Sequence, residues 1–401
     1  YFNADFFKID YYTGNAGGLK YPDARFNGYY TRFNLPANHT FGKSNVKAAF
    51  AMIDYTIIKP LRISGGLRVE QYQALADVFL YDSLHYKNND IRRKYQAENL
   101  VFFLANGAYR NEFNYLPSLN VIYNLNNNTE KPVNVRFNYS KTVARPSLRE
   151  LLDVSYFDYE FNSDVKGNPD LKTVKVDNYD ARFESYFKSG DNISVSVFYK
   201  EMVDMVQLIA VQDIGFTWFN SPKKSNIKGI ELEGKKKLTK NFDLMANATF
   251  VNSTSYIYNS YAKTKIGGGE DPQKIVVGDT IIKKTLFGQA PYVFNAILSY
   301  HADSIGLNVA ISYNVQGPKL SVLAPRDFNY DIYELPRHLI DLKVSKKLSK
   351  HFSVSLNIKD LLNSPIRRAA KYYDQKGFYK DYYYDQYRFG SIYQLALSYK
   401  I

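Results

Sequence analysis

The stretch VNVRFNYSKTVARPSLRELLDVSYFDYEFNSDVKGNPDL, Val133 to Leu171, carries the pattern that sets the fold. Its first residues alternate: Val133, Val135, Phe137 and Tyr139 are apolar or aromatic, and Asn134, Arg136, Asn138 and Ser140 are polar. A period of two predicts a strand with one apolar face and one wet face. Pro146 ends it, because proline offers no N–H to a ladder. Roughly 30 irregular residues pass before alternation resumes near Val174, and a loop of that length is usually functional.

The same alternation spreads outward. Ala49, Ala51, Ile53, Tyr55 and Ile57 share a face in a strand opening at Asn45. After Lys59-Pro60, Leu61, Ile63, Leu67 and Val69 face one way and Arg62, Ser64, Arg68 and Glu70 the other. Further strands are expected near 113–125, 132–144, 175–187, 192–209, 226–238, 242–257, 289–301, 305–316, 337–348, 351–362 and 387–401. Long polar or aromatic loops at 83–112, 145–174, 210–224, 258–288, 317–336 and 363–386 alternate with brief turns. A sandwich does not require that rhythm; an up-and-down barrel with short turns at one rim and long loops at the other does. The fold class expected is therefore all-β, a transmembrane antiparallel up-and-down β-barrel.

Composition agrees. The 401 residues include no Cys, so neither a disulfide nor a thiolate site exists. Hydrophobic residues are 45%, yet mean hydropathy is −0.38. No run approaches the roughly 20 apolar residues of a spanning helix, whereas a barrel strand needs only about 10 alternating ones. Tyr (37) and Phe (27) far outnumber Trp (1), a load that suits an aromatic-rich soluble β protein as well as aromatic girdles at two membrane interfaces. The net charge of +13 is scattered over strands and loops, which argues against nucleic acid as a partner.

ARPSLREL (Ala144 to Leu151) followed by GNPDLK (Gly167 to Lys172) resembles the pattern of TonB-dependent outer-membrane receptors of the Bacteroidetes type. VDNYDARFESYF (Val176 to Phe187), FYKEMVDMV (Phe198 to Val206) and NIKGIELE (Asn226 to Glu233) extend the resemblance in order. It implies a location in the bacterial outer membrane and TonB-dependent import of a scarce ligand: a siderophore, an oligosaccharide or a peptide. Implied partners are outer-membrane lipid and lipopolysaccharide, a TonB-type energising complex, and a surface lipoprotein or another outer-membrane complex subunit. The alternative is a non-transporting structural or interaction barrel. Haem receptors of the family carry a His between the two boxes; here Pro146 to Lys166 holds none, which argues against haem.

About 13 strands is an odd number, and single-chain bacterial barrels have even ones. With the resemblance, this implies the C-terminal strands of a 22-stranded barrel, with the plug and first strands upstream. Residues 1–44 are expected to be mostly outer loop, with one short strand near 27–33, and 45–401 to be barrel.

No catalytic or metal constellation stands out, and no cofactor is implied. The five His show no ligand spacing on one strand face, and His338 and Asp341 point to opposite faces. Two loops offer ligand chemistry. One carries Tyr156 and Tyr159. The other carries Arg367, Arg368, Lys371, Tyr372, Tyr373, Tyr379 and Tyr383, and tyrosine beside arginine is the composition of binding hot spots. Packing between loops is the alternative role for these residues.

Overall fold

The structure, a computed structural model, describes residues 40–78, 101–103, 108–126, 128, 130–159, 163–211, 215–265, 273–324, 331–373 and 379–400. The alternating segments form one antiparallel wall. Its strands are β1 (Thr40–Ile58), β2 (Leu61–Val78), β3 (Ala108–Asn124), β4 (Val133–Ala144), β5 (Val174–Tyr186), β6 (Asn192–Val203) and β7 (Ser225–Lys237). They continue with β8 (Phe242–Tyr258), β9 (Tyr292–Ala302), β10 (Leu307–Gln316), β11 (Arg337–Lys347), β12 (Phe352–Lys359) and β13 (Ile392–Tyr399). Each pairs with its neighbours in sequence, the topology of an up-and-down barrel. The short strand Ile281–Lys284 adds to the end of β8. Among the described residues β1 and β13 do not pair with each other, so the wall is open.

Register puts like with like. On one face Val344, Leu356 and Leu395 stand opposite one another, as do Ala248, Phe294 and Val315. This face carries aromatics at both rims. Tyr139, Tyr179 and Tyr199 line up at the long-loop rim, with ring centroids 5.1 and 6.2 Å apart. Phe242–Tyr300 and Phe352–Tyr399, each at 4.9 Å, stand at the short-turn rim. An apolar band between two aromatic belts is the surface a bilayer requires.

The opposite face is hydrogen-bonded. Glu184 accepts from Asn134 Nδ2 (3.1 Å), Arg136 Nε (2.7 Å) and Arg182 Nε (3.3 Å). Arg182 also reaches Ser194 (2.8 Å) and Glu233 (2.6 Å). Asn247, Asn295 and Asn314 form a ladder across three strands. Polar groups are satisfied laterally here, as the wet inner side of a barrel needs. One short turn is pinned by Asp191, which accepts from Lys237 N–H (2.7 Å) and Lys236 Nζ (2.9 Å). These bonds hold its carboxyl down from 3.8 to about 2. A depressed carboxylate stabilises above its unfolded pKa, so this contribution fades only as pH falls through that interval.

Several expected boundaries move. The strand expected at 192–209 breaks at Asp204, whose φ of 57° turns the chain into a separate outer strand. The strand expected at 351–362 stops at Lys359, before Asp360 (φ 51°) and Asn363 (φ 46°). The segment 363–386 is not an irregular loop but a hairpin, Ile366–Tyr373 with Tyr379–Tyr387. The first strand starts at Thr40 rather than Asn45. The expected short strand near 27–33 lies outside the described residues.

This facing makes a testable contrast. Leu356 opposes Val344 and Leu395, whereas Ser355 opposes Ser345 and Ala396. Leu356→Arg places a cation in hydrocarbon, at about 2–4 kcal/mol near mid-bilayer, and Ser355→Arg places it in the wet lumen. Heat-modifiable migration on gels should show far less folded protein for Leu356→Arg; equal losses would invert or erase the assigned faces.

Candidate functional site

The site is built where the long loops stand on the wall. Ser147 and Glu150 form a capping box: Ser147 N–H donates to Glu150 Oε2 (2.8 Å), and Glu150 N–H to Ser147 Oγ (3.3 Å). The turn they close buries Leu151 and Leu152 with Leu171, Ala76 and Ala108. The Gly-Asn-Pro-Asp-Leu box is then clamped from three sides. Asn168 N–H donates to Glu150 O (2.6 Å), and its Nδ2 to Trp218 O (2.9 Å). Arg110 donates to Pro169 O and, at 2.6 Å, to Leu171 O. Gly167 has no room for a side chain, since a Cβ there would lie 2.1 Å from Leu152 O. The preceding Arg145 binds Glu70 and sits 4.7 Å over the Tyr72 ring. These boxes anchor the outer loops to the wall.

Above the wall the loops share a core. Ile209, Val211, Phe219, Ile257, Tyr261, Ile275, Leu320 and Leu323 are buried together, from five outer segments and the outer end of β8. Burial pushes the Tyr261 phenol up. Its oxygen accepts the Tyr258 N–H at 3.1 Å. Outer segments with a common core form a rigid platform rather than independent loops.

A cavity of about 730 Å³ opens between platform and wall. Its floor is the inner face of β10 and β11, presenting Asn314, Gln316, Arg337 and Leu339. Its side is the sheet Lys319–Val322, Ile332–Glu334, Ile366–Tyr373 and Tyr379–Tyr387. Tyr159, Tyr387 and Phe389 supply aromatic surface, and the last two meet edge-on at 5.3 Å. Each lining cation has a carboxylate partner: Lys319–Glu334 (3.1 Å), Arg337–Asp360 (2.5 Å) and Arg368–Asp385. The cavity therefore offers amides, paired charges and ring faces.

The structure separates the expected ligand residues. Tyr159, 90% exposed, and the buried Arg368 line the cavity. Arg367, next in the chain to Arg368, lies opposite Gln386. Tyr383 is exposed on the same hairpin. Lys371, Tyr372, Tyr373 and Tyr379 lie farther along it, Lys371 opposite Asp381 and Tyr373 opposite Tyr379. Tyr156 lies elsewhere, under the Arg149 guanidinium at 3.4 Å, with its phenol pushed up by burial. Asn314, Gln316, Lys319, Glu334 and Arg337 were not singled out in the sequence. Their inward phase on β10 and β11 was the available signal for the wall members.

A family model described as TonB dependent receptor-like, beta-barrel matches residues 1–361. The chain belongs to that family. Its wall accordingly stands in the bacterial outer membrane. Solved structures agree in fold. The copper transporter OprC superposes with a TM-score of 0.57 at 14% identity, over 89% of this chain and 48% of OprC. The ferric-catecholate import receptor Fiu of E. coli gives 0.54 at 13%, over 90% and 45%. The hemophore receptor HasR of Serratia marcescens, solved with its hemophore and heme, gives 0.54 at 16%, over 89% and 51%. This chain thus spans about half the length of those receptors. No curated protein matches it in sequence.

Arg110 tests the clamp. Arg110→Met keeps the stem and removes the donors to Pro169 and Leu171, leaving buried carbonyls short of partners at about 1–3 kcal/mol. Backbone amides over 167–172 should exchange with deuterium about tenfold or more faster, with the wall unaffected. Unchanged exchange would mean that the box holds itself.

Proposed function

We propose that this chain forms part of the barrel of a TonB-dependent importer, with the outer cavity capturing the ligand. A plug upstream of the described wall gates passage, and a TonB-type complex in the inner membrane drives the plug. Family membership supports import as the general activity, and nothing observed favours the non-transporting alternative. Lipopolysaccharide around the outer belt, and a surface lipoprotein over the platform, are partners consistent with that setting.

The ligand class follows from one observation: the cations lining the cavity are already bound to carboxylates of the protein. A strongly anionic ferric chelate would have to break those pairs. A neutral, hydrogen-bonding ligand need not. Asn314 and Gln316 offer amide donors and acceptors, and Tyr159, Tyr387 and Phe389 offer faces on which sugar rings stack. We therefore assign an oligosaccharide. Arg368 holds the hairpin against Asp385, while Tyr159 and the exposed Tyr383 meet the ligand first. The more distal Lys371, Tyr372, Tyr373 and Tyr379 would extend the capture surface.

Screening the detergent-solubilised receptor against a glycan array, then titrating the hits, tests this. Affinity should change little between about 50 and 500 mM salt, because no net charge is neutralised on binding. Asn314→Ala and Tyr387→Ala should each weaken binding about tenfold. If the receptor ignores neutral glycans and instead binds an anionic ferric complex, with affinity falling steeply with salt, the oligosaccharide assignment is wrong.

A further inference from the structure

At β1, β2 and β3 the wall runs on past its apolar band. Thr40 still pairs with Val78, and Ala76 with Ala108. The outward phase of these strands is the one that reaches Tyr139 of the outer belt through Leu119. On β2 it stays apolar from Leu61 to Val69, roughly the 9–11 residues with which a tilted strand crosses hydrocarbon. The last apolar row is Ala49, Val69 and Tyr115. Beyond it the character changes at once. Lys47, Gln71 and Phe113 form the next row, and Asn45, Gln73 and Asn111 the one after. Lys43 stands in the third row, which ends at Tyr109.

These rows are a built surface rather than a loose loop. The ladder of β1 and β2 keeps one register from Thr40 to Thr56. Gln71 Nε2 donates to Asn111 Oδ1 at 3.1 Å, so the amides brace each other. Phe113 and Tyr109 are 60% and 59% exposed, with open ring faces. Cations farther along the rim are matched, Lys141 with Asp177 at 3.4 Å and Lys224 with Glu201 at 2.6 Å. Among the described residues Lys43 and Lys47 form no ion pair. The one acidic residue placed in this phase is Asp77, opposite Phe41 in the row beyond Lys43. Two unmatched ammonium groups, hydrogen-bonding amides and ring faces thus share one side of the sheet, just outside hydrocarbon. In the outer leaflet of a bacterial outer membrane, that level is occupied by the phosphorylated sugars of lipopolysaccharide. Ammonium groups attract the phosphates, and amides and rings meet the sugars.

We propose that the outward face of β1 to β3, beyond the row Ala49, Val69 and Tyr115, binds the phosphorylated sugar head of one lipopolysaccharide molecule. Lys43 and Lys47 hold phosphate, and Phe113 and Tyr109 pack against sugar rings. This turns the lipopolysaccharide contact named above into a site. It rests on the outer-membrane setting and not on what the outer cavity binds.

Native mass spectrometry of the full receptor, released from micelles containing bis-phosphorylated lipid A with its inner-core sugars, reads retained glycolipid directly. The parent protein should retain it. The double variant Lys43→Gln with Lys47→Gln should retain about tenfold less while keeping heat-modifiable migration. The double variant Lys141→Gln with Lys224→Gln removes as many charges from the matched part of the rim and should retain as much as the parent. That comparison separates a site from general attraction to an anionic leaflet. The same glycolipid stripped of phosphate should bind the parent and the Lys43/Lys47 variant alike. Phe113→Ser tests the sugar half should that variant fold poorly, and should retain about fivefold less. Equal retention by the parent and the folded Lys43/Lys47 variant would overturn the proposal. So would an equal loss in the Lys141/Lys224 variant, or full retention by Phe113→Ser. None of these readouts involves the outer cavity, so a failure here is distinct from a failure of the oligosaccharide assignment.

Discussion

A peptide N–H or C=O left without a partner in hydrocarbon costs several kcal/mol, and the rest of this molecule depends on that constraint. It forces each wall strand to pair with both neighbours, and from β2 to β12 every such ladder runs without a register shift. Once register is fixed, period two assigns each side chain to lipid or lumen. Val344–Leu356–Leu395 and Ser345–Ser355–Ala396 are adjacent rows on opposite sides of one sheet. The same constraint makes the open edges of β1 and β13 positions where further strands must pair when the wall stands in a membrane.

The lumen and the platform solve a different problem. Polar side chains on the inner face meet one another before they meet ligand, as in the Glu184 network and the asparagine ladder. Outside the membrane the chain needs a conventional core, and the cluster around Ile209, Phe219, Tyr261 and Leu323 provides it. The Arg110 clamp and the Gly167 turn join the two regimes. A loop region held so firmly presents its cavity with little ordering left to do on binding, which favours affinity.

The wall was legible in the sequence because lipid on one side and water on the other impose alternation on every strand. About 13 strands were expected on the barrel pattern, and the alternation of short and long connections held throughout. The outer sheets were not legible. Their strands are short, as in Ser163–Lys166 and Ile332–Glu334, and tyrosines occupy both phases of the 366–387 hairpin, so no period emerges. Asp204 and Asn363 adopt left-handed conformations that nothing in the local pattern announces. Of the residues that line the cavity, composition pointed to Tyr159 and Arg368 as ligand candidates. It could not find Arg337 or Gln316, because any inward polar residue of the wall looks alike until register sets these two opposite each other.

The alternation of a lipid face and a wet face along the wall is open to direct measurement because the chain has no native cysteine. Single cysteines through Tyr292–Ala302 and Phe352–Lys359 can be spin-labelled in the receptor reconstituted in bilayers. Collision with oxygen, which partitions into lipid, is then compared with collision with a water-soluble nickel chelate. Positions Phe294, Ala296, Leu298, Val354, Leu356 and Ile358 should collide with oxygen, and Asn295, Ile297, Ser299, Ser353, Ser355 and Asn357 with the chelate. A flat profile, or one in the opposite phase, would mean that these strands do not separate lipid from lumen in this register.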